Sequence, residues 1–269
     1  LLFPVVTIFI LGPNKLSLIL GIALSFLLGI TILLKEDIKK IFSVLININK
    51  TIINANHIKK WFIYGSPLSV WFAMGLALSF LDRFFINYYL TNDDLGIYAS
   101  LQELLTRSFS LTLFPITMAL HPRIMQLWNK SKHQDAAKLI TKSIAVIFVI
   151  GIIILLIVWL YKDLIFLGIQ KLIPEFSIKS KLLILPLLSA GFLWQLSLLT
   201  HKMLELKEQT TLMTIAIIPS LIINIVGNTY YLPIMGEIAT AYSALFSALV
   251  YFIITSLHCI YSINRIKSS

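Results

Sequence analysis

The chain has 269 residues, 58% of them hydrophobic and only 13% charged, with a mean hydropathy of +0.89. An average soluble domain carries roughly 25% charged and about 45–50% apolar residues, so this composition excludes a soluble enzyme, a nucleic-acid-binding domain and a disordered tail. The net charge of +10 arises from 22 Lys and Arg against 12 Asp and Glu, and most of the basic residues fall between long apolar runs, where they act as topology signals of a polytopic membrane protein.

A helix that crosses the hydrocarbon core needs about 20 predominantly apolar residues. In chain order, residues 1–11 read as a partial span closed by Gly12-Pro13-Asn14, and 15–34 as the first full one. The chain opens on Leu1 within an apolar run, with neither a basic n-region nor a cleavage site. That is the expectation for a chain starting inside a transmembrane helix of a longer protein. Residues 35–60 are too polar to cross. Ile38, Ile41, Phe42, Leu45, Ile48 and Ile52 recur there at spacings of three and four with lysines between. This pattern fits either a helix lying in the cytoplasmic interface or an amphipathic linker packed on protein. Six more spans follow, at 66–90, 95–120, 143–161, 181–200, 211–229 and 238–261. The fold class is all-α, a polytopic transmembrane helix bundle.

Orientation follows from where Lys and Arg collect. The 35–60 segment carries Lys35, Lys39, Lys40, Lys50, Lys59 and Lys60; the 121–142 loop carries Arg123, Lys130, Lys132, Lys138 and Lys142; the tail carries Arg265 and Lys267. The positive-inside rule puts all three in the cytoplasm. The opposite loops, 91–96 and 230–237, lack Lys and Arg, while 162–180 with Lys162, Lys171 and Lys179 departs from the rule. Trp61, Tyr64, Tyr88, Tyr89, Trp159, Tyr161, Tyr230 and Tyr231 mark span ends as interfacial anchors.

An ionisable residue in mid-bilayer costs roughly 2.5–3.5 kcal/mol on insertion scales, so it usually faces a cavity or a partner. Two adjacent spans carry such residues together: Asp82 and Arg83 in the first, Gln102, Glu103 and Arg107 in the second. Taken as a hairpin turning near Asp93, they place Arg83 and Glu103 each about 15 Å below the turn, at matching depth. Asp82 and Arg107 then differ by only about 4–5 Å along the axis, so two opposite-charge pairs form across the hairpin. Glu103 and Arg107 also stand at i,i+4. These groups read either as a buried clasp fixing helix packing or as the lining of a water-filled route. In the second reading the arginines meet an anionic substrate and a carboxylate takes up a proton or cation.

Nothing points to an enzyme. His57, His121, His133, His201 and His258 are scattered without metal-ligand spacing, and Cys259 is the single cysteine. No phosphate loop or nucleophile elbow occurs, so neither a metal nor a cofactor is expected.

The stretch 65–122 resembles the start of the second lobe of bacterial polysaccharide flippases, in the multidrug/oligosaccharidyl-lipid/polysaccharide exporter superfamily. The resemblance rests on Gly65-Ser66-Pro67, Asp82-Arg83-Phe84, Leu95-Gly96-Ile97-Tyr98 and His121-Pro122-Arg123. A second match runs from Asn224 through Leu232-Pro233-Ile234-Met235-Gly236 to Ile238-Ala239-Thr240-Ala241. It implies that 1–34 is the end of a first lobe, 35–64 a cytoplasmic linker and 65–269 a second lobe of six helices, in an N-terminally truncated chain. It further implies a multi-pass protein of the bacterial plasma membrane that flips an undecaprenyl-diphosphate-linked oligosaccharide, an O-antigen or related lipopolysaccharide or surface-polysaccharide unit, by alternating access. Its partners would be that lipid-linked oligosaccharide, membrane lipids and a proton or sodium ion as coupling ion, with no nucleic acid. Arg83 and Arg107 are the candidates for the diphosphate, because the planar guanidinium donates paired hydrogen bonds to phosphate oxygens. Asp82 and Glu103 would neutralise them in the empty cavity and serve ion coupling or the clasp. Of these four, the family motif carries over only Asp82 and Arg83. The alternatives are a drug/cation antiporter of the same superfamily, or a non-transporting truncated scaffold of the glycan assembly machinery.

Overall fold

Long apolar runs in lipid satisfy their backbone polar groups within a helix or a closed barrel. In the computed structural model this chain takes the helical solution. The structure describes residues 6–7, 9–10, 12, 16–17, 19–31, 55–172 and 176–268, and among these no strand occurs. Two units divide the chain, Leu1–Lys60 and Trp61–Ser269. In the first, α1 (Ile19–Thr31) is an apolar helix at the centre of the expected 15–34 span. The amphipathic pattern from Ile38 to Ile52 lies outside the described residues, as does most of the partial span at 1–11.

The helix α2 (Ala55–Tyr89) leads into the second unit and continues unbroken through Pro67. There follow α3 (Asn92–Asn129), α4 (His133–Leu160), α5 (Lys162–Leu172), a 3-10 turn (Ile178–Leu183), α6 (Ile184–Thr200), α7 (Lys202–Leu206), α8 (Thr210–Met235) and α9 (Glu237–Ser268). Among the described residues, five stretches are long and apolar enough to cross a membrane: His57–Tyr89, His133–Leu160, Ile178–Leu206, Thr210–Met235 and Glu237–Ser268. The remaining expected span, 95–120, falls on α3. At 38 residues α3 has ample length but is more polar than the others, since it carries Glu103, Arg107 and a run of serines and threonines.

The most buried helix is α6, which packs against α3, α4 and α9 and contributes Leu187, Phe192, Leu196 and Leu199 to the core. Helices α8 and α9 form a close hairpin, in which Gly227 leaves no room for a Cβ against Ser243. Small residues at such a crossing let backbones approach where lipid supplies no hydrophobic driving force. Helix α2 differs from these. Its backbone stays apart from the other helices, and it is tied to them by side chains, through apolar contacts of Ile86, Trp71, Met74 and Leu78 and through hydrogen bonds. Trp71 donates to Tyr251 Oη (2.8 Å), Thr214 donates to the Pro67 carbonyl (2.7 Å), and Asp82 accepts several bonds described below.

Three local expectations change. The turn between α2 and α3 sits at Leu90 and Thr91 and not at Asp93, because Thr91 caps α3. The Asp94 backbone N–H donates to the Thr91 hydroxyl, while the Asp94 carboxylate accepts from the Thr91 backbone and hydroxyl, a reciprocal capping box. The hydroxyl bond holds the Asp94 carboxyl below its ordinary range. The expected 121–142 loop shrinks to residues 130–132, since α3 and α4 extend beyond the apolar stretch that a hydropathy count detects; Ser131 makes the reversal with a left-handed φ of 58°. The 162–180 loop contains α5, whose Phe166 and Ile169 are buried beside Phe176, with Lys181 paired to Asp163.

Candidate functional site

Helices α2, α3, α6, α8 and α9 enclose a cavity of about 390 Å³, and Asp82, Arg83, Glu103 and Arg107 all line it. The charged residues expected to meet do share one space, but their pairing differs from the sequence expectation.

Arg83 Nη2 donates to Glu103 Oε1 at 2.7 Å, so the first expected pair forms. The second does not. Arg107 bonds through Nε to the other oxygen of Glu103, one turn earlier on its own helix. Among the described residues Asp82 has no ion-pair partner. The displaced turn explains this. Measured from Leu90 and Thr91, Asp82 and Arg107 differ in depth by about 12 Å, too far for a pair. Arg83 and Glu103 differ by about 7–8 Å, which the long guanidinium arm spans.

Asp82 is instead fully buried in a set of neutral donors. Its Oδ1 accepts from the amides of Asn224 (3.0 Å) and Asn228 (3.1 Å), and its Oδ2 from Tyr98 Oη (2.9 Å) and, weakly, Gln102 Nε2 (3.4 Å). Asn224 and Asn228 stand at i,i+4 on α8 and therefore face the same way. A buried carboxylate held only by neutral groups keeps its charge available for a cation or a proton. Asn228 Oδ1 is also buried without a hydrogen-bond partner among the described residues, as is the Thr240 hydroxyl on α9. Rotating the two amides by half a turn would present acceptors in place of donors to a cation at Asp82.

The other charges form a separate cluster. Two guanidinium groups converge on the one Glu103 carboxylate, so this cluster carries one positive charge, which the Asp82 carboxylate balances elsewhere in the same cavity. The Arg107 side chain is 73% exposed and so is available to a ligand. Arg83 also lies over the Phe80 ring, 5.2 Å from its centroid, and approaches Gln102 Oε1 at 3.4 Å.

Parallel packing of α3 and α6 builds the opposite wall. Gly191 lets α6 close on α3, since a Cβ there would lie 3.3 Å from Thr106 Cα. One turn further along both helices, Gln195 Nε2 donates to Ser110 Oγ at 2.9 Å. Beyond this rung Trp194 stacks on Tyr251 (5.5 Å between centroids), which bonds Trp71 and, at 3.2 Å, His201 Nδ1. The sequence reading placed Arg83, Glu103 and Arg107 together correctly, but it missed Tyr98, Asn228, Gln195 and Ser110. Amides four residues apart in an otherwise apolar helix were the signal for Asn224 and Asn228; nothing local marked Gln195 or Ser110.

The MatE family model matches residues 67–230. No curated protein and no solved structure matches the chain.

Proposed function

Since this chain belongs to the MatE family, membrane transporters of the multidrug/oligosaccharidyl-lipid/polysaccharide exporter superfamily and not enzymes, we propose that its substrate is an undecaprenyl-diphosphate-linked oligosaccharide. The substrate is flipped from the cytoplasmic to the outer face of a bacterial plasma membrane. The observation that carries this reading is the pair of arginines sharing one carboxylate in the cavity wall. Two guanidinium groups held side by side favour a diphosphate, because their geometry suits its oxygens. Glu103 holds both arginines in place until the diphosphate competes for them.

Asp82 serves the coupling ion. Protons or sodium ions reaching its carboxylate neutralise a buried charge and change which of Asn224, Asn228 and Tyr98 it holds. Because such bonds tie α2 to α3, α8 and α9, that change biases how α2 packs. Alternating access in such folds is a rocking of one lobe against another around a midplane site.

Family membership is equally consistent with a drug/cation antiporter, and the aromatic wall at Trp194 and Tyr251 is the feature that favours it. The exposed Arg107 guanidinium opposes it, because a cationic drug beside it would meet like charge. Deleting the gene should leave lipid-linked oligosaccharide trapped on the inner leaflet and abolish surface glycan. Accumulation of a cationic dye with normal surface glycan would instead identify the antiporter.

In this scheme the loop at Lys132 and the tail at Lys267 are cytoplasmic and Asp93 faces outward. Cysteines placed at these positions should respond to a membrane-impermeant thiol reagent in intact cells only at 93. External labelling at 132 would reverse the orientation.

A further inference from the structure

The segment after α4 departs from the positive-inside rule, with Lys162, Lys171, Lys179 and Lys181 against Asp163 and Glu175. Lys181 pairs with Asp163 and lies over the Phe166 ring, 5.9 Å from its centroid, which ties the 3-10 turn against α5. Lys162, Lys171 and Lys179 are exposed, and none of them pairs with a carboxylate among the described residues. Helix α5 is apolar on two sides. Its inner face is keyed to the protein, since Phe166 and Ile169 are buried and the Phe166 and Phe176 rings stand 5.8 Å apart. Gln170 Nε2 also donates to the Phe176 carbonyl at 3.3 Å. Its outer face carries Leu164 and Leu167, 67% and 54% exposed, and the 3-10 turn adds Ile178 and Leu182 at 79% and 61%. Between Lys162 and Lys171 the one exposed polar side chain is Asp163, already spent on Lys181. A surface helix in water would turn polar residues outward, and α5 does not.

We propose that α5 and the 3-10 turn form a membrane-surface anchor that binds anionic phospholipid, at the end of α4 away from the 130–132 turn. Leu164, Leu167, Ile178 and Leu182 enter the acyl boundary, while Lys162, Lys171 and Lys179 reach the lipid phosphates. A helix with an apolar outer face and flanking lysines lies in the interface in this way, and each ammonium gains from a nearby anionic headgroup. Leu164, Leu167 and Lys171 stand at i, i+3 and i+7, so the ammonium ends the apolar stripe and its stem can run along it. The exposed Trp159 and Tyr161 at the end of α4 set the same depth, since such rings prefer the headgroup level. The lysines thus stand on the unexpected side because they hold lipid. The anchor needs only that α4 crosses the membrane, whatever the cavity carries.

The test places an NBD fluorophore on Leu167→Cys in the full-length protein, in nanodiscs of phosphatidylcholine and phosphatidylglycerol. A doxyl quencher sits shallow on the acyl chain of one lipid or of the other, at equal fraction. Quenching should be at least about twofold stronger with the label on phosphatidylglycerol, because the lysines enrich that lipid locally. Aqueous iodide should quench little. Lys162→Gln, Lys171→Gln and Lys179→Gln together should make the two lipids equal, and an unchanged melting temperature would verify that the fold is retained. Quenching by iodide and by neither lipid puts the face in water and overturns the anchor. Quenching by none of the three means that protein covers the face, which overturns it equally. Equal quenching by both lipids without the lysine substitutions, or a preference that survives them, overturns the binding of anionic lipid.

Discussion

Replacing Asp82 with alanine should destabilise the full-length protein by at least about 2 kcal/mol, because two buried donors lose their acceptor at once and each such loss costs about 1–3 kcal/mol. Tyr98 and Asn224 are those donors, on two helices other than α2; Asn228 keeps the oxygens of Asn224 as acceptors, and the vacated space adds a cavity to the loss. Thermal unfolding in detergent reads this effect. Asp82→Asn keeps the shape and leaves the site neutral. It should reach the membrane at near-normal levels and lose the dependence of transport on the ion gradient. A variant that exports with wild-type ion dependence would remove Asp82 from coupling and leave it as a packing residue.

Arg107 should behave in the opposite way, with little effect on stability and a large one on export. Glu103 keeps Arg83 when Arg107 is lost, so no carboxylate is left buried without a partner. The heavy penalty of breaking a fully buried pair, about 3–5 kcal/mol, does not apply. With Arg107 and Glu103 both partly exposed, Arg107→Gln should cost less than about 1 kcal/mol. Export should nonetheless fall at least about tenfold, since a charge-assisted hydrogen bond to the substrate contributes about 1.5–3 kcal/mol. Glu103→Gln is the sharper structural test, because it leaves two guanidinium groups side by side with nothing between them. Removing Glu103 and Arg107 together relieves that repulsion. A double variant with normal expression and normal surface glycan would eliminate the substrate role of Arg107.

These two residues also mark how far the sequence was legible. Charges in apolar runs stand out by composition, so Asp82, Arg83, Glu103 and Arg107 were found as one group, and the helical arms bearing them were placed nearly correctly. Their pairing depended on the turn. A capping box at Thr91 moved it by about two residues, which shifted the relative depth of the two arms enough to separate Asp82 from Arg107. The partners that Asp82 takes instead are neutral, and a search for charge overlooks them. Asn224 and Asn228 were open to the same argument, since an amide buried in lipid also seeks a partner. Gln195 and Ser110 lay beyond it. They meet only because Gly191 sets α6 against α3 in one parallel register, a tertiary fact with no local signature. Helix α5 was missed for a related reason, since its few apolar residues fall short of a span and its helical periodicity shows only against the core it covers.

The charge of the substrate is the claim on which the rest depends, and competition binding addresses it directly. Purified full-length protein in nanodiscs would be titrated with undecaprenyl diphosphate and with the lipophilic cation tetraphenylphosphonium, each in the presence and absence of the other. The account predicts saturable binding of the diphosphate, weakened at least about tenfold by Arg107→Gln and not displaced by the cation. Saturable binding of tetraphenylphosphonium, strengthened by Arg107→Gln, with diphosphate binding indifferent to that substitution, would contradict it.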